Sequence, residues 1–403
     1  MLVPKLQLGN VIFVEAGASG YRCVPKLELG NKGPAKMKNI VKKIEPILNK
    51  SLNGVESFVH SHPKVDFLFG ALFEAADGLI RSTKDTAGTQ PFIRNKMDAK
   101  QYMGGILVAL VFAWVIPSIY FFGFLCVVPK IIVSFVVGVF IVDVLWVILA
   151  KEERINEGGF VTCLFIPAFL PPQAPLWLIG VGAAVSILFR NIFGGVGNNL
   201  VNPALFGRLI LTICFPTMVV TGWQEPFTGV PTIQSLINGV DAVTHATPLM
   251  LYKEMGEVTS YLSLMFGTNT GSLGETCRIA IIIVGIWLCK MRIANWRIPV
   301  SYLGSAFVFS AIFSLFLGKT MTPPILQLLS GGLLFGAFFM ATDPVTTTYS
   351  QAGKWVFGIG CGFLTVVIRN FTPVPEGVMY AILFMNLVGV PIQSIILKIK
   401  YRV

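Results

Sequence analysis

Between two strongly apolar stretches the chain carries Phe193-Gly-Gly-Val-Gly-Asn-Asn-Leu-Val-Asn-Pro-Ala-Leu-Phe-Gly-Arg208, a run of glycines, amides, a proline and an arginine. Hydrocarbon cannot satisfy the peptide groups of such a run. Non-helical backbone at membrane depth survives only where it is packed in protein or lines a cavity, so the run marks a functional centre. A second interruption, Met340-Ala-Thr-Asp-Pro-Val-Thr-Thr-Thr348, again sets a polar residue before a proline, so Asn202-Pro203 and Asp343-Pro344 read as matching breaks in two halves. Paired interruptions point to a central site in an inverted-repeat membrane protein. The plainer alternative is two helix ends that contain proline.

Composition sets the solvent. The 403 residues are 54% hydrophobic and 13% charged, against about 25% charged in a typical soluble domain. Net charge is +11, but fifteen of the 31 Lys and Arg precede residue 103. The excess is therefore a basic region outside the membrane, read as cytoplasmic retention rather than a nucleic-acid stripe. Cys23, Cys126, Cys163, Cys214, Cys277, Cys289 and Cys361 are scattered without a C-x-x-C pair, which argues against a zinc site, a four-cysteine cluster or a disulfide framework. With only His60, His62 and His245, a haem held between helices is not expected. Met1 is followed by no apolar core of the kind a cleavable signal peptide needs.

Residues 1–36 hold a near-exact repeat, Val3-Pro-Lys-Leu-Gln-Leu-Gly-Asn10 and Val24-Pro-Lys-Leu-Glu-Leu-Gly-Asn31, too short for a solenoid and set aside as an upstream or non-native extension. Residues 37–102 form a basic cytoplasmic region with one amphipathic piece, Asp66-Phe-Leu-Phe-Gly-Ala-Leu-Phe-Glu-Ala-Ala-Asp77, suited to an interfacial or docked helix. The expected fold is an all-α integral membrane protein with ten segments. They lie at 103–125, 128–150, 158–172, 175–193, 203–220, 276–292, 298–318, 322–342, 354–372 and 376–396. The first membrane half is 103–220, the second 276–403, and 221–275 connects them. Alternate connections carry Lys151-Glu-Glu-Arg154, Arg190, Lys290-Met-Arg292 with Arg297, and the tail carries Lys398, Lys400 and Arg402. Both termini are then cytoplasmic and 221–275, with the single basic Lys253, is extracytoplasmic. Trp114, Tyr120 and Trp146 suit an aromatic belt.

Few ionisable groups fall inside the membrane. Asp143 lies within the second segment and Asp343 at the second break, and a buried carboxylate there marks either an ion path or a pair with a base. Arg208 and Arg369 are the expected partners. Asn199 and Asn202 offer donors and acceptors beside glycines, suiting either a flavin edge or the backbone of their own turn. Gly194-Gly-Val-Gly197 follows no strand and is not read as a nucleotide site.

The outer connection contains Asp241-Ala-Val-Thr-His-Ala-Thr-Pro-Leu249, whose threonines read locally as turn or capping residues. The segment resembles the flavinylation motif of the B-type and D-type membrane proteins of the sodium-pumping NADH:quinone oxidoreductases and Rnf-type complexes. Ordered matches accompany it: Asn156-Glu-Gly158, Leu170-Pro-Pro172, the Phe193–Leu205 run, Gly271-Ser-Leu-Gly-Glu275, Trp296-Arg-Ile298, Phe339-Met-Ala-Thr-Asp-Pro-Val345, Gly353-Lys-Trp355 and Pro375-Glu-Gly-Val-Met-Tyr-Ala-Ile-Leu-Phe-Met-Asn386.

That resemblance implies two inverted halves with broken helices, similar to urea transporters. It implies FMN esterified to Thr247, with Asp241 and Thr244 in the motif read by a flavin transferase, and a noncovalent riboflavin near Asn199 and Asn202. The basic lead-in Ile93-Arg-Asn-Lys-Met-Asp-Ala-Lys100 resembles the B-type member. The reading is then a bacterial inner-membrane subunit of a six-subunit sodium pump, carrying electrons toward quinone and coupled to Na+ export, with NADH oxidised on another subunit. Asp143, Asp343 and Glu74 are candidates for the Na+ pathway. The alternatives are the D-type subunit of an Rnf-type complex and a non-redox small-solute channel of the same fold. Two positions depart from the family pattern, His245 within the motif and Gln393 where an acid is usual.

Overall fold

The computed structural model describes residues 13–14, 22–23, 52–59, 61–62, 65–67, 69–70, 73–74, 77, 99–151, 155, 157–195, 197–227, 246–318, 321–372 and 376–401. Residues 1–58 and 59–403 are two compact units. In the first, Phe13–Val14 pairs antiparallel with Arg22–Cys23 and residues 52–58 are helical. The eight-residue repeat lies outside the described residues.

The second unit is helical. In chain order it contains α1 (Gln101–Phe122), α2 (Phe124–Ala150), α3 (Glu157–Ala168), α4 (Leu176–Ile192) and α5 (Pro203–Cys214). There follow α6 (Pro248–Met255), α7 (Arg278–Lys290), α8 (Arg297–Leu317) and α9 (Pro324–Leu329). The last are α10 (Leu333–Phe335, continued by a π turn over Gly336–Met340), α11 (Gln351–Phe371) and α12 (Val378–Tyr401).

Five of these, α1, α2, α8, α11 and α12, are long and apolar enough to cross a bilayer, in place of the ten spans expected from composition. The others are cut short. At 1.5 Å per residue a twelve-residue helix such as α3 covers about 18 Å of a roughly 30 Å hydrocarbon core. Prolines or glycines bound most of these helices, and α3 is surrounded by protein: Gly158 to Ala168 are all buried. Window hydropathy reads apolar content and misses such breaks.

Long helices show a lipid face and a protein face. Ile141, Leu145 and Ile148 of α2 are exposed, while Val139, Asp143 and Val147 point inward. Gly123, at φ 85°, ends α1 and starts α2. The described residues of the amphipathic piece are helical, and Phe69 packs on Phe140 of α2 with ring centroids 5.6 Å apart. The piece is docked on the membrane core. Tyr120 is 71% exposed, as a belt residue is, but Trp114 is 1% exposed. A π turn over Val111–Val115 directs Trp114 into the core, which corrects its belt assignment.

Candidate functional site: two cavities separated by phenylalanines

The run between α4 and α5 reverses the chain through Gly194, Gly195 and Gly197, at φ 96°, 79° and 106°, a region that side chains disfavour. It ends in a helix cap: Oδ1 of Asn202 accepts from the N–H of Ala204 at 3.1 Å and of Leu205 at 3.4 Å, with Pro203 at the first helical position where its missing N–H costs nothing. The second break is held alike. Asp343 accepts from the N–H of Val345 at 3.3 Å and the hydroxyl of Thr346 at 3.0 Å. With its amide oriented to suit both neighbours, Asn386 accepts from the N–H of Asn202 and donates to the carbonyl of Thr346, each at 3.2 Å. One buried amide thus ties the two breaks together.

Both breaks line a single cavity, together with Tyr102, Thr162, Phe165, Arg190, Asn199 and Phe339. Oδ1 of Asn199 is buried without a hydrogen-bond partner among the described residues.

The expected ion partners are rearranged. Asp143 pairs with Arg190 at 2.7 Å and accepts from Asn191 at 2.8 Å, while Arg208 pairs with Glu376. Arg369 donates to the carbonyls of Gln327 at 2.7 Å and Ser330 at 3.0 Å. Asp143 is thus held through Oδ1, and Asp343 is paired with neither Arg208 nor Arg369. Loop and span charges far apart in sequence meet only through helix packing, so proximity along the chain could not assign them. Gln393 accepts from the N–H of Ser350 at 3.1 Å. Glu74 is half-buried on the docked helix.

A second, smaller cavity is lined by Ala168, Phe169, Arg208, Glu275, Gly332, Phe335 and Glu376 among others. Sequence reasoning counted Glu275 as a loop acid, yet it is 4% exposed. The Ser272-x-x-Glu275 spacing of a capping box was its signal: the N–H of Ser272 donates to Oε1 of Glu275 at 2.7 Å. Burial, with Glu376 adding, pushes this carboxyl up, against the pull of Arg278, the Ser272 N–H and Arg208. Lys130 was also missed. It is buried in α2, donating to the carbonyl of Cys126 at 3.1 Å and to that of Pro172, which clamps the exit of α3 to α2.

Four rings stand between the cavities. Phe165 and Phe169 of α3 have centroids 6.2 Å apart and Phe335 and Phe339 of α10 5.0 Å apart, with Phe335 edge-on to Phe165 at 6.0 Å and to Phe169 at 5.9 Å. Phe165 and Phe339 face the first cavity; Phe169 and Phe335 face the second.

Thr247 caps α6, its half-buried hydroxyl accepting from the N–H of Met250 at 3.4 Å. Its helix is fixed beside the second cavity's wall by Lys253, which donates to the carbonyl of Thr372 at 3.1 Å, and by Tyr252, which donates to that of Met321 at 3.0 Å. Burial and the nearby Arg369 push the Lys253 ammonium down. Asp241, Thr244 and His245 lie outside the described residues.

These features define a multi-pass helical membrane protein whose broken helices enclose two cavities, each with charged side chains set among apolar ones. The chain belongs to the NQR2, RnfD, RnfE family, whose model matches residues 86–402, and is a membrane subunit of that family's ion-translocating redox complexes. It is 32% identical over 340 residues to the D-type subunit of the proton-translocating ferredoxin:NAD(+) oxidoreductase complex of Clostridium ljungdahlii, covering 81% of this chain and 98% of that protein. Identity is 35% over 307 residues with the D-type subunit of the Na(+)-translocating ferredoxin:NAD(+) oxidoreductase complex of Acetobacterium woodii, covering 75% and 90%. With the B-type subunit of the Na(+)-translocating NADH-quinone reductase of Azotobacter vinelandii it is 36% over 281 residues, covering 68% of each chain.

Proposed function

We propose that this chain is the D-type subunit of an Rnf-type ion-translocating ferredoxin:NAD+ oxidoreductase. Coverage favours this over the B-type reading, since the chain spans nearly the whole of the D-type relatives and 68% of the B-type one. Electrons pass through flavin held by this chain, a monovalent cation crosses it, and ferredoxin and NAD+ react on other subunits. The observation that carries the ion path is the pair of cavities, each bearing charged side chains, that meet at four phenylalanines, since charged ends and a dry constriction make a gated route.

The residues fit the flavins. The Thr247 hydroxyl is half-buried and holds one long hydrogen bond, leaving its oxygen available for an FMN phosphoester, and Asn199 brings an unpartnered carbonyl oxygen to the first cavity for a riboflavin edge. Bound flavin supplies the redox chemistry. Thr247 fixes its position by a bond that bulk solvent cannot reverse, while the phenyl rings exclude water between the cavities. In this reading α3 with α4 and α9–α10 with α11 are inverted counterparts. Arg190-Asn191 ends α4 and Arg369-Asn370 ends α11, and each arginine lies against a glycine, Gly159 or Gly331. The first cavity then opens to the cytoplasm and the second outward, with Thr247.

The test is activity of the purified complex. Reduced ferredoxin should drive NAD+ reduction with cation transport in proteoliposomes; NADH-driven quinone reduction without ferredoxin activity would return the chain to the B type. An assembled complex whose copy of this chain lacks flavin would remove the redox role.

A further inference from the structure

We propose that Glu275 is the carboxylate that receives the translocated monovalent cation beyond the phenylalanine partition. The inference rests on the reading that the cation crosses this chain. Oε1 of Glu275 is committed to the Ser272 N–H at 2.7 Å, but Oε2 is buried with no hydrogen-bond partner among the described residues. Glu275 is among the residues that line the second cavity. The position a Cβ would take at Gly332 lies 3.6 Å from Oε2, so a side chain at residue 332 would touch that oxygen.

Four charged groups surround Glu275. Arg208 and Glu376 line the same cavity and are paired with each other, so among the lining charges the unbalanced one is that of Glu275. Arg278 and Arg369 stand behind the wall, their guanidinium groups donating to the carbonyls of Leu264 and Thr276 and of Gln327 and Ser330. A buried carboxylate oxygen without a donor is costly unless something positive occupies it. The two rear arginines keep such an occupant weakly held, and a transport site must release what it binds. A cation leaving the four rings at Phe169 and Phe335 meets this oxygen in the cavity those rings line.

A sodium ion and a proton answer to the same carboxylate chemistry, and two assays separate them. The whole complex is reconstituted in proteoliposomes, and cation movement per electron is followed with radioactive sodium and with a proton-sensitive dye. Glu275→Gln preserves the Oε1 acceptor for Ser272 and removes the charge. It is expected to raise the sodium concentration, or the proton concentration, for half-maximal transport about tenfold, the equivalent of 1.4 kcal/mol. Glu275→Asp should fall between Gln and wild type. Gly332→Ser, which sets a hydroxyl before Oε2, should move the same midpoint and serves if Glu275→Gln does not assemble. Unchanged midpoints for both cations in the Gln or Ser variant overturn the proposal. Phe335→Trp separates the two levels: if it reduces cation movement per electron while Glu275→Gln behaves as wild type, only the Glu275 assignment fails. If neither variant alters transport, the cation does not cross this chain.

Discussion

Arg190, at the end of α4, donates to Asp143 in the π turn of α2 at 2.7 Å, and both side chains are 2% exposed. Asn191 donates to the same carboxylate oxygen at 2.8 Å, so the acid holds two helices together at membrane depth. A buried pair of this kind matters most when one partner is removed, because the other charge is left uncompensated.

Asp143→Ala is therefore predicted to destabilise the protein by about 3–5 kcal/mol. Asp143→Asn, which keeps an acceptor oxygen, should cost less. Thermal unfolding of the detergent-solubilised complex measures both, and an unchanged midpoint in the Ala variant would show that the pair contributes nothing net.

Gly159 and Gly331 lie flat against the two buried arginines. A Cβ at Gly159 would sit 2.9 Å from Oδ2 of Asp143 and 3.0 Å from Arg190, and one at Gly331 2.6 Å from Arg369, with φ at 63°. Each Gly→Ala change is predicted to cost about 1–3 kcal/mol through overpacking. Gly304→Ala on α8 meets nothing within 4 Å and should be neutral or gain up to about 1 kcal/mol. Equal melting temperatures for all three variants would contradict this.

Thr247→Val should abolish covalent flavin, seen as in-gel ultraviolet fluorescence after co-expression with a flavin transferase, whereas Thr244→Val should retain it. The same change removes the cap of α6, a loss of about 1 kcal/mol. Thr247→Ser should keep cap and fluorescence. Fluorescence surviving in Thr247→Val would place the attachment elsewhere.

Ser260 and Ser394 are both exposed and lie on opposite sides in the orientation read from loop charge. A cysteine at Ser260 should react with an impermeant thiol reagent applied from outside, and one at Ser394 only after permeabilisation. The reverse pattern would invert the proposed topology.

Some of this was legible in the chain itself. Apolar content with few charges announced a multi-pass helical membrane protein, since a long polar-free stretch has no other stable solvent. Glycine and proline marked the breaks at Asn202-Pro203 and Asp343-Pro344, because backbone conformation is a local property. The ordered motifs placed the family. Tertiary structure alone decided which helices are long enough to cross, since whether a short apolar helix is walled by lipid or protein depends on its neighbours. It alone gave Asp143 to Arg190 and Arg208 to Glu376, and brought Phe165 and Phe169 against Phe335. Contacts between residues on different helices follow from how whole helices pack, and local propensity carries no record of them.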